Sequence, residues 1–329
     1  MADQRVDGIS WTDETWNPTR GCSRVSLGCG GPNGQGGCYA ERQAIRFVGP
    51  GQPYEGLVKS TPAGPRWTGK VALVESSLDL PLHWKRPRRI FVNSMSDLFH
   101  EKVQDEWIDR IFAMMALADR HTFQVLTKRP ERMLAYLTAP LVDQKIWWAG
   151  WDMYDRVPVP RPCGGPDGIG IKRWPLPNVW LGISAEDQAT ADERIPLRLQ
   201  TPAAVRWVSY EPALGPVDFT RWLHNDVTPR EPALDWIVVG GESGPGARPF
   251  DLAWARQTVT QCHWAWTTCF VKQLGARPFD LAGDGMVPLS AGLTARWEPP
   301  VGAYLDLRDR KGADPDEWPE NLRVREWPA

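Results

Sequence analysis

The chain is predicted to be an α/β protein with mostly parallel strands, arranged as a partial or full (β/α) barrel. Three observations predict this class. Short apolar or β-branched runs recur along the 329 residues, each run ends in polar residues, and helix or crossover segments separate the runs. Alternation of strand and helix is typical of a parallel sheet, because parallel strands need crossover connections.

Seven strands and one clear helix are predicted. The strands are assigned to 9–12, 89–97, 122–129, 179–187, 205–212, 234–244 and 269–275. The helix is predicted over 101–120, and the apolar residues at helical spacing in it are Val103, Trp107, Ile111, Met114 and Met115. A stripe of this kind is expected of a helix that covers a sheet, so we assign it to packing.

A single domain over 1–329 is expected, with Gly- and Pro-rich insertions at about 49–69 and 139–177. Long loops of this type are usually mobile or functional. The second insertion interleaves aromatic with basic residues, namely Trp147, Trp148, Trp151, Tyr154, Trp174, Arg156, Arg161, Lys172 and Arg173. Two interpretations stay open: the mixture stacks bases and holds phosphates, or the aromatic residues only anchor the loop.

Composition indicates a globular chain with enough apolar residues for a sizeable core. It is 42% hydrophobic and 24% charged, with a formal net charge of −2. No apolar run approaches the length of a membrane-spanning helix, and the first residues lack a signal pattern. We therefore expect a cytoplasmic protein with no membrane partner, in which a local patch would have to hold any nucleic acid.

Three of the six cysteines, Cys22, Cys29 and Cys38, lie in one glycine-rich loop and suggest a bound metal. Six cysteines in a chain of this kind favour metal or redox chemistry over disulfides. No His lies near the loop to complete a four-ligand zinc site, whereas a [4Fe–4S] cluster held by three Cys leaves one iron open. Spacing alone leaves open a cluster, a zinc site completed by a distant residue, or plain thiols.

The other cysteines are assigned no function. Cys262 and Cys269 are predicted to be buried where a helix end enters a strand, and buried Cys behaves as a small hydrophobe. Cys163, in the loop PRPCGGPDG, is interpreted as an incidental surface thiol.

Polar residues follow six of the predicted strands. They are Asn93, Ser94, Ser96, Asp97, Thr127, Lys128, Arg129, Ser184, Glu186, Asp187, Ser209, Glu211, Glu242, Ser243, Lys272 and Gln273. Because the carboxyl ends of parallel strands gather on one face, we expect one polar site there. For a single residue the alternative is a helix cap, which we favour for Ser96 and Asp187.

Several segments make the chain resemble the radical S-adenosylmethionine (SAM) superfamily, and in particular a phage-associated branch of unknown function with a three-cysteine motif. They are WTDETWNPTRGC, CYAER, RIFVNSMSDLFH, QVLTKRPERM, WLGISAED, YEPALGP, VVGGESGPGARPF, FVKQLG and DRKGADPDEWPENLRVREWP, which span nearly the whole chain. The chain is also remotely similar to spore photoproduct lyase. It departs from the branch in one respect, because eight residues instead of two separate Cys29 from Cys38.

The resemblance implies a barrel of the radical SAM type and a radical SAM enzyme. Cys22, Cys29 and Cys38 would ligate a [4Fe–4S] cluster whose open iron binds SAM. An electron from a donor such as flavodoxin or ferredoxin would then release methionine and a 5′-deoxyadenosyl radical, which takes hydrogen from the substrate.

The resemblance also implies roles for the residues after the strands. The residues expected to contact SAM are Tyr39, Asn93, Ser94, Ser96, Asp97, Lys128, Ser184 and Glu186. The expected substrate contacts are Glu211, Glu242, Ser243, Arg248, Lys272 and Gln273.

The implied substrate is a base of DNA or a nucleotide, such as a modified thymine in phage DNA, which would undergo isomerase- or lyase-type chemistry in the host cytoplasm. Two alternatives stay open. One is a radical SAM enzyme acting on a small metabolite or peptide, and the other is a non-catalytic nucleic-acid-binding protein with a zinc knuckle. The oligomeric state is left open.

Overall fold

The structure is a computed structural model that describes residues 9–31, 36–154, 173–224, 232–281 and 303–328. Its strands are β1 (Glu14–Trp16), β2 (Thr19–Arg20), β3 (Val58–Lys59), β4 (Arg66–Trp67), β5 (Ala72–Leu73), β6 (Arg89–Val92), β7 (Thr122–Thr127), β8 (Val179–Ser184), β9 (Val205–Tyr210), β10 (Trp236–Gly240), β11 (Phe250–Asp251), β12 (Thr268–Gln273) and β13 (Pro278–Phe279). Its α-helices are α1 (Tyr39–Ala44), α2 (Leu80–His83), α3 (Asp105–Leu117), α4 (Pro130–Leu137), α5 (Val142–Tyr154), α6 (Gln188–Gln200) and α7 (Leu252–Trp264).

The main sheet has seven strands in the order β1-β6-β7-β8-β9-β10-β12. Its registers are parallel, with Glu14 opposite Ile90 in β1 and β6, and Trp236 opposite Trp207 in β10 and β9. The strands follow one another in chain order, and helices α3, α6 and α7 lie in crossovers between them. This topology confirms the predicted α/β class with a parallel sheet of the partial (β/α) barrel kind.

Six of the seven predicted strands overlap the strands of this sheet, but the prediction for 9–12 is wrong. Those residues form a turn in which the Thr12 amide donates to the Ile9 carbonyl at 3.1 Å. The Thr12 hydroxyl donates to the Arg89 carbonyl at 2.8 Å, and the ladder with β6 begins only at Glu14. Local apolar character predicted a strand here, but it is the Thr12 side chain, and not the Thr12 backbone amide, that bonds to the neighbouring strand.

The predicted helix over 101–120 is confirmed in its centre, where α3 covers Asp105–Leu117. Its first turn carries Asp105 and Glu106, whose charges favour a helix N-terminus. Of the predicted stripe, Ile111, Met114 and Met115 are buried, so the packing role is confirmed there.

The two predicted insertions contain regular structure. Within 139–177, α5 is a helix and not a loop, because Val142, Ile146 and Met153 recur at helical spacing and are buried, and α5 packs against α3. Within 49–69, β3 and β4 form an antiparallel pair. Residues 155–172 of the second insertion, including Arg156, Arg161, Cys163 and Lys172, lie outside the described residues.

The chain divides into two compact units. The first comprises Met1–Ser23, Ala40–Gly182 and Gln200–Val205, and the second comprises Arg24–Tyr39, Ile183–Leu199 and Arg206–Ala329. In the first unit the rings of Trp16 and Phe123 pack with centroids 5.8 Å apart. In the second unit Trp207 and Trp236 pack at 5.3 Å, and both are fully buried. Among the described helices, none combines the length and the apolar character that a bilayer crossing requires.

Candidate functional site

In the first unit, Cys22 follows a backbone segment that is tied to the end of β6. Gly21 pairs with Ser96 in a parallel bridge, and the Ser96 hydroxyl donates to the Thr19 carbonyl at 2.9 Å. Gly21 has a φ of +88°, and a Cβ there would lie 2.2 Å from the Lys70 carbonyl oxygen. Only glycine fits this close approach, which places the half-buried Cys22 next to the strand end.

The guanidinium group of Arg129 faces Cys22. Its Nη1 lies 3.9 Å from the Cys22 Sγ and 2.9 Å from the Asp97 Oδ2. Its Nη2 donates to the Ser23 carbonyl at 3.1 Å and to the Ser23 hydroxyl at 2.8 Å. A cation beside a sulfur favours the thiolate, which is the form that binds metals.

Asp97 joins the ends of β6 and β7. Its carboxylate accepts the Thr127 hydroxyl at 2.7 Å, the Lys128 amide at 3.2 Å and the Arg129 guanidinium. It also accepts the Phe99 amide at 3.0 Å, and the side chain is nearly buried. Asp97 therefore organises the protein around Cys22 through direct bonds to its own chain.

His100 contacts the segment that carries Cys22 through the hydroxyl of Ser23. Its Nδ1 accepts the Lys102 amide at 3.1 Å, so the proton is assigned to Nε2, which lies 2.9 Å from the Ser23 hydroxyl. Burial, aided by the charge of Arg129, lowers the pKa of His100. A neutral imidazole is thus the form that this position favours.

Asn93, at the end of β6, carries a buried polar atom with no described partner. It has a φ of +63°, its backbone amide donates to the Trp16 carbonyl at 2.8 Å, and its side chain is 3% exposed. The side-chain Nδ2 has no hydrogen-bond partner among the described residues. Buried donors are normally satisfied, so this amide can offer hydrogen bonds to a ligand.

In the second unit, Glu186 holds the start of the cysteine loop. It follows β8, is 1% exposed, and accepts the Ser26 hydroxyl at 2.9 Å. The Arg194 guanidinium on α6, also buried, lies 3.1 Å from its other oxygen. A Cβ added to Gly28 would lie 2.2 Å from the Glu186 Oε1, so the loop backbone runs directly against this carboxylate.

Glu242 and Arg248, in the segment after β10, hold the loop at two further points. The Gly37 amide donates to the Glu242 Oε1 at 3.0 Å, and the Arg248 Nη1 donates to the Leu27 carbonyl at 2.8 Å. The two side chains pair with each other, the Arg248 Nε lying 2.8 Å from the Glu242 Oε2. This ion pair thus contacts the loop before Cys29, at Leu27, and at the end of the spacer, at Gly37.

A separate ion pair joins the ends of β9 and β12. The Lys272 Nζ lies 2.5 Å from the Glu211 Oε1, and the Gln273 Nε2 donates to the same oxygen at 3.3 Å. Gln273 also donates to the Gly241 carbonyl at 2.9 Å. The structure therefore brings together three of the residues predicted to contact substrate.

The other predicted site residues lie at strand ends or on the surface. The Ser94 hydroxyl donates to the Asn17 side chain at 3.2 Å, and the Lys128 amide bonds to Asp97. Ser184 is buried and its carbonyl accepts Arg194, Ser243 is half-buried after β10, and Tyr39 is 62% exposed at the start of α1.

The two predicted caps have different outcomes. Asp187 caps α6, because its carboxylate accepts the Thr190 amide at 2.9 Å, so that prediction is confirmed. The prediction for Ser96 is wrong, because its hydroxyl bonds to Thr19 instead of to a helix.

Sequence reasoning missed His100, Arg194 and the contact of Arg129 with Cys22. The available signals were a His directly after SDLF and an Arg directly after the strand-end pair Thr127 and Lys128. Neither signal indicates burial, which comes only from packing.

The burial predicted for Cys262 and Cys269 is confirmed, since they are 0% and 2% exposed on α7 and β12. A hydrogen bond between the two thiols and burial raise the pKa of Cys262. Cys262 therefore stays protonated, as expected of a structural cysteine.

Among the described residues, no three His, Cys, Asp or Glu side chains form a ready-made metal group. Cys22, Cys29 and Cys38 are half-buried thiols outside any disulfide, and thiolates are the ligands that soft metals and iron–sulfur clusters prefer. The case for a cluster therefore depends on the three thiols as ligands and on the contacts that hold the chain around each cysteine.

The fold and the loop define a parallel α/β protein with a cysteine-bearing loop after its first strand. Residues 7–296 match the family described as "Protein of unknown function (DUF5131)". The match covers most of the chain, so the protein belongs to that family. Neither the curated proteins nor the solved structures include a significant match.

Proposed function

We propose that the protein is a radical SAM enzyme that modifies or rearranges a nucleic-acid base. Cys22, Cys29 and Cys38 would hold a [4Fe–4S] cluster, and SAM would be the second cofactor. When bound, a three-cysteine cluster supplies an open iron and a single electron. The chain's own residues place the thiols, bind SAM and orient the substrate.

One observation carries the proposal. The side chains that contact the cysteine loop follow strands of the main sheet. Arg129 follows β7 and is held by Asp97 after β6, and Glu186 and Glu242 follow β8 and β10. Carboxyl ends of parallel strands are where such folds build their sites. A purely structural zinc knuckle has no need for this set of anchors, since four ligands close it.

Asn93 supports the assignment of a cofactor near β6. Its unpartnered Nδ2 is a hydrogen-bond donor of the type that binds a carboxylate or ribose oxygen. The backbone of Asn93 has a positive φ, a conformation that few residues other than glycine adopt. Sparsely populated backbone conformations cluster at ligand sites.

The aromatic face of α5 supports a nucleobase substrate. Trp147 and Trp151 stack with centroids 5.8 Å apart, and Trp148 and Trp151 are 61% and 45% exposed. Flat exposed indoles favour stacking on bases over the alternative that they anchor a loop by burial.

The test is anaerobic purification followed by an optical spectrum, iron and sulfide analysis, and EPR of the reduced protein with and without SAM. We expect about four irons per chain and an EPR signal that changes when SAM is added. Bound zinc without iron would contradict the proposal and favour the binding-protein alternative. A SAM-sensitive cluster in a protein that binds no oligonucleotide would move the substrate to a metabolite or peptide.

A further inference from the structure

We infer that Glu242 and Arg248 are positioning residues for Cys29 and Cys38, and not substrate contacts as the resemblance implied. The inference rests on the proposed function, because it assigns the two side chains to the cluster-binding loop. The argument lies entirely within the second unit, to which both cysteines belong.

The first step concerns the backbone before Cys29. Leu27–Cys29 forms a 3₁₀ turn, in which the Cys29 amide donates to the Ser26 carbonyl at 2.9 Å. The Leu27 carbonyl accepts both the Gly30 amide, at 2.9 Å, and the Arg248 Nη1, at 2.8 Å. Arg248 thus binds the turn that presents Cys29.

The second step concerns the backbone before Cys38. The Gly37 amide donates to the Glu242 Oε1 at 3.0 Å, and the Gly36 amide donates to the Gly246 carbonyl at 2.7 Å. Gly36 has a φ of +64°, and a Cβ there would lie 2.4 Å from the Glu242 Oε1. Glycine at this position lets the chain run against the carboxylate directly before Cys38.

The third step is the bonding capacity of Glu242. An ionised carboxylate offers about four lone-pair sites. In Glu242 they accept the Gly37 amide, the Arg248 amide at 3.1 Å, and the Arg248 Nε and Nη2 at 2.8 and 3.0 Å. With its acceptor sites used and 7% of its surface exposed, Glu242 has no site left for a substrate donor.

These contacts explain how the loop accommodates a spacer of eight residues between Cys29 and Cys38. Arg248 binds the loop just before the spacer and Glu242 binds it at the spacer's end, while the two side chains hold each other in a bidentate pair. The ion pair therefore contacts the loop just before Cys29 and just before Cys38, which constrains the positions of both thiols.

The matched control is the Glu211–Lys272 pair. It is a carboxylate–cation pair of the same unit, it also follows the strands of the main sheet, and its described hydrogen bonds go to Gln273 and not to the cysteine loop. Replacing Glu211 by Gln removes the same charge as replacing Glu242 by Gln.

The experiment compares the full-length wild type with Glu242→Gln, Arg248→Gln and Glu211→Gln. Hydrogen exchange of the apo protein is measured by mass spectrometry over residues 26–31 and 36–40, and iron affinity is measured by anaerobic titration with ferrous iron and sulfide. In Glu242→Gln and Arg248→Gln we expect faster exchange in both peptides and about 10-fold weaker iron binding, the usual cost of losing an outer-shell partner. In Glu211→Gln we expect neither change, and the melting temperature serves as the measure of global folding.

Unchanged loop exchange and unchanged iron affinity in Glu242→Gln would overturn the inference while leaving the proposed function intact. Equal effects in Glu211→Gln would overturn it as well. If the wild type takes up no iron but loop exchange still rises in Glu242→Gln, the loop contacts stand and the proposed function fails. If Glu242→Gln does not fold, Arg248→Lys tests the same contacts, because Lys keeps the charge but cannot form the bidentate pair.

Discussion

The protein holds Cys22 and the pair Cys29 and Cys38 in different ways. Cys22 follows a backbone bridge to the end of β6, and Arg129, Asp97 and His100 form a connected set of bonds around it. Cys29 and Cys38 belong to a loop whose described residues form no strand pairing, and side chains of Glu186, Glu242 and Arg248 attach this loop to the protein.

The difference is that a backbone bridge supports the segment before Cys22, whereas side chains hold the described parts of the loop that carries Cys29 and Cys38. Around Cys22, Arg129 alone makes bonds to Asp97 and to both oxygens of Ser23. Next to Cys38, the Gly36 amide donates to the Gly246 carbonyl and the Gly37 amide donates to Glu242. We therefore expect a substitution at Arg129 to lower global stability, and a substitution at the loop to act mainly on loop order.

The largest effect is expected from the cysteines themselves. Replacing any one of Cys22, Cys29 or Cys38 by Ala removes a thiolate ligand and should abolish iron uptake, as iron and sulfide analysis after anaerobic reconstitution would measure. Cys262→Ala is the control, because Cys262 is buried in α7 and should leave the iron content unchanged. An equal loss in Cys262→Ala would contradict the assignment of ligands.

The second-largest effect, a loss of global stability, is expected from Arg129→Gln. Its guanidinium is 13% exposed and its partner Asp97 is 8% exposed, so the change leaves a nearly buried carboxylate without its cation. Urea denaturation should show a loss of about 3 kcal/mol in the free energy of unfolding, the range measured when one partner of a buried ion pair is removed. Amide exchange should rise over residues 20–23 and stay unchanged over 36–40.

Arg132→Gln is the control for this prediction. Arg132 pairs with Asp105 on the surface, where their side chains are 30% and 49% exposed. Exposed ion pairs contribute at most about 1 kcal/mol, so the unfolding free energy of Arg132→Gln should differ little from that of the wild type. The prediction is wrong if the two variants lose the same amount.

The smallest effect is expected from Gly36→Ala. Both Gly36 and Gly56 have positive φ, +64° and +68°, but a Cβ at Gly56 would meet nothing within 4 Å whereas one at Gly36 would meet Glu242. Gly56→Ala should therefore cost about 1 kcal/mol from backbone strain alone. Gly36→Ala should cost about 2 kcal/mol, because it also disrupts the bond from Gly37 to Glu242.

Amide hydrogen exchange in the cysteine loop distinguishes the two glycine variants. Gly36→Ala should raise exchange over residues 36–40 and lower the iron content, and Gly56→Ala should do neither. If both variants give the same hydrogen exchange and the same unfolding free energy, the contact between the loop and Glu242 does not contribute to stability.

The strands of the main sheet were predictable because each is a short apolar run with a polar residue at its end. β6, β7, β8, β9, β10 and β12 all fall within predicted segments or within one residue of them. Helix α5 was not predicted, because its Gly and its aromatic residues favoured a loop. Its buried residues gain their stability from packing against α3, which local propensity does not encode.

The sequence by itself determined the α/β class, the position of the three thiols after the first strand, and the set of polar residues at the strand ends. These follow from periodicity and chain order, which are local properties. Only the tertiary structure decided what each polar residue bonds to. The saturated carboxylate of Glu242 and the contact of the Arg129 guanidinium with Cys22 depend on residues distant in the chain, and so does the burial of the Asn93 Nδ2 without a described partner. Hydrogen bonding is directional and short-ranged, so its partners are settled only when the folded backbone brings those residues together.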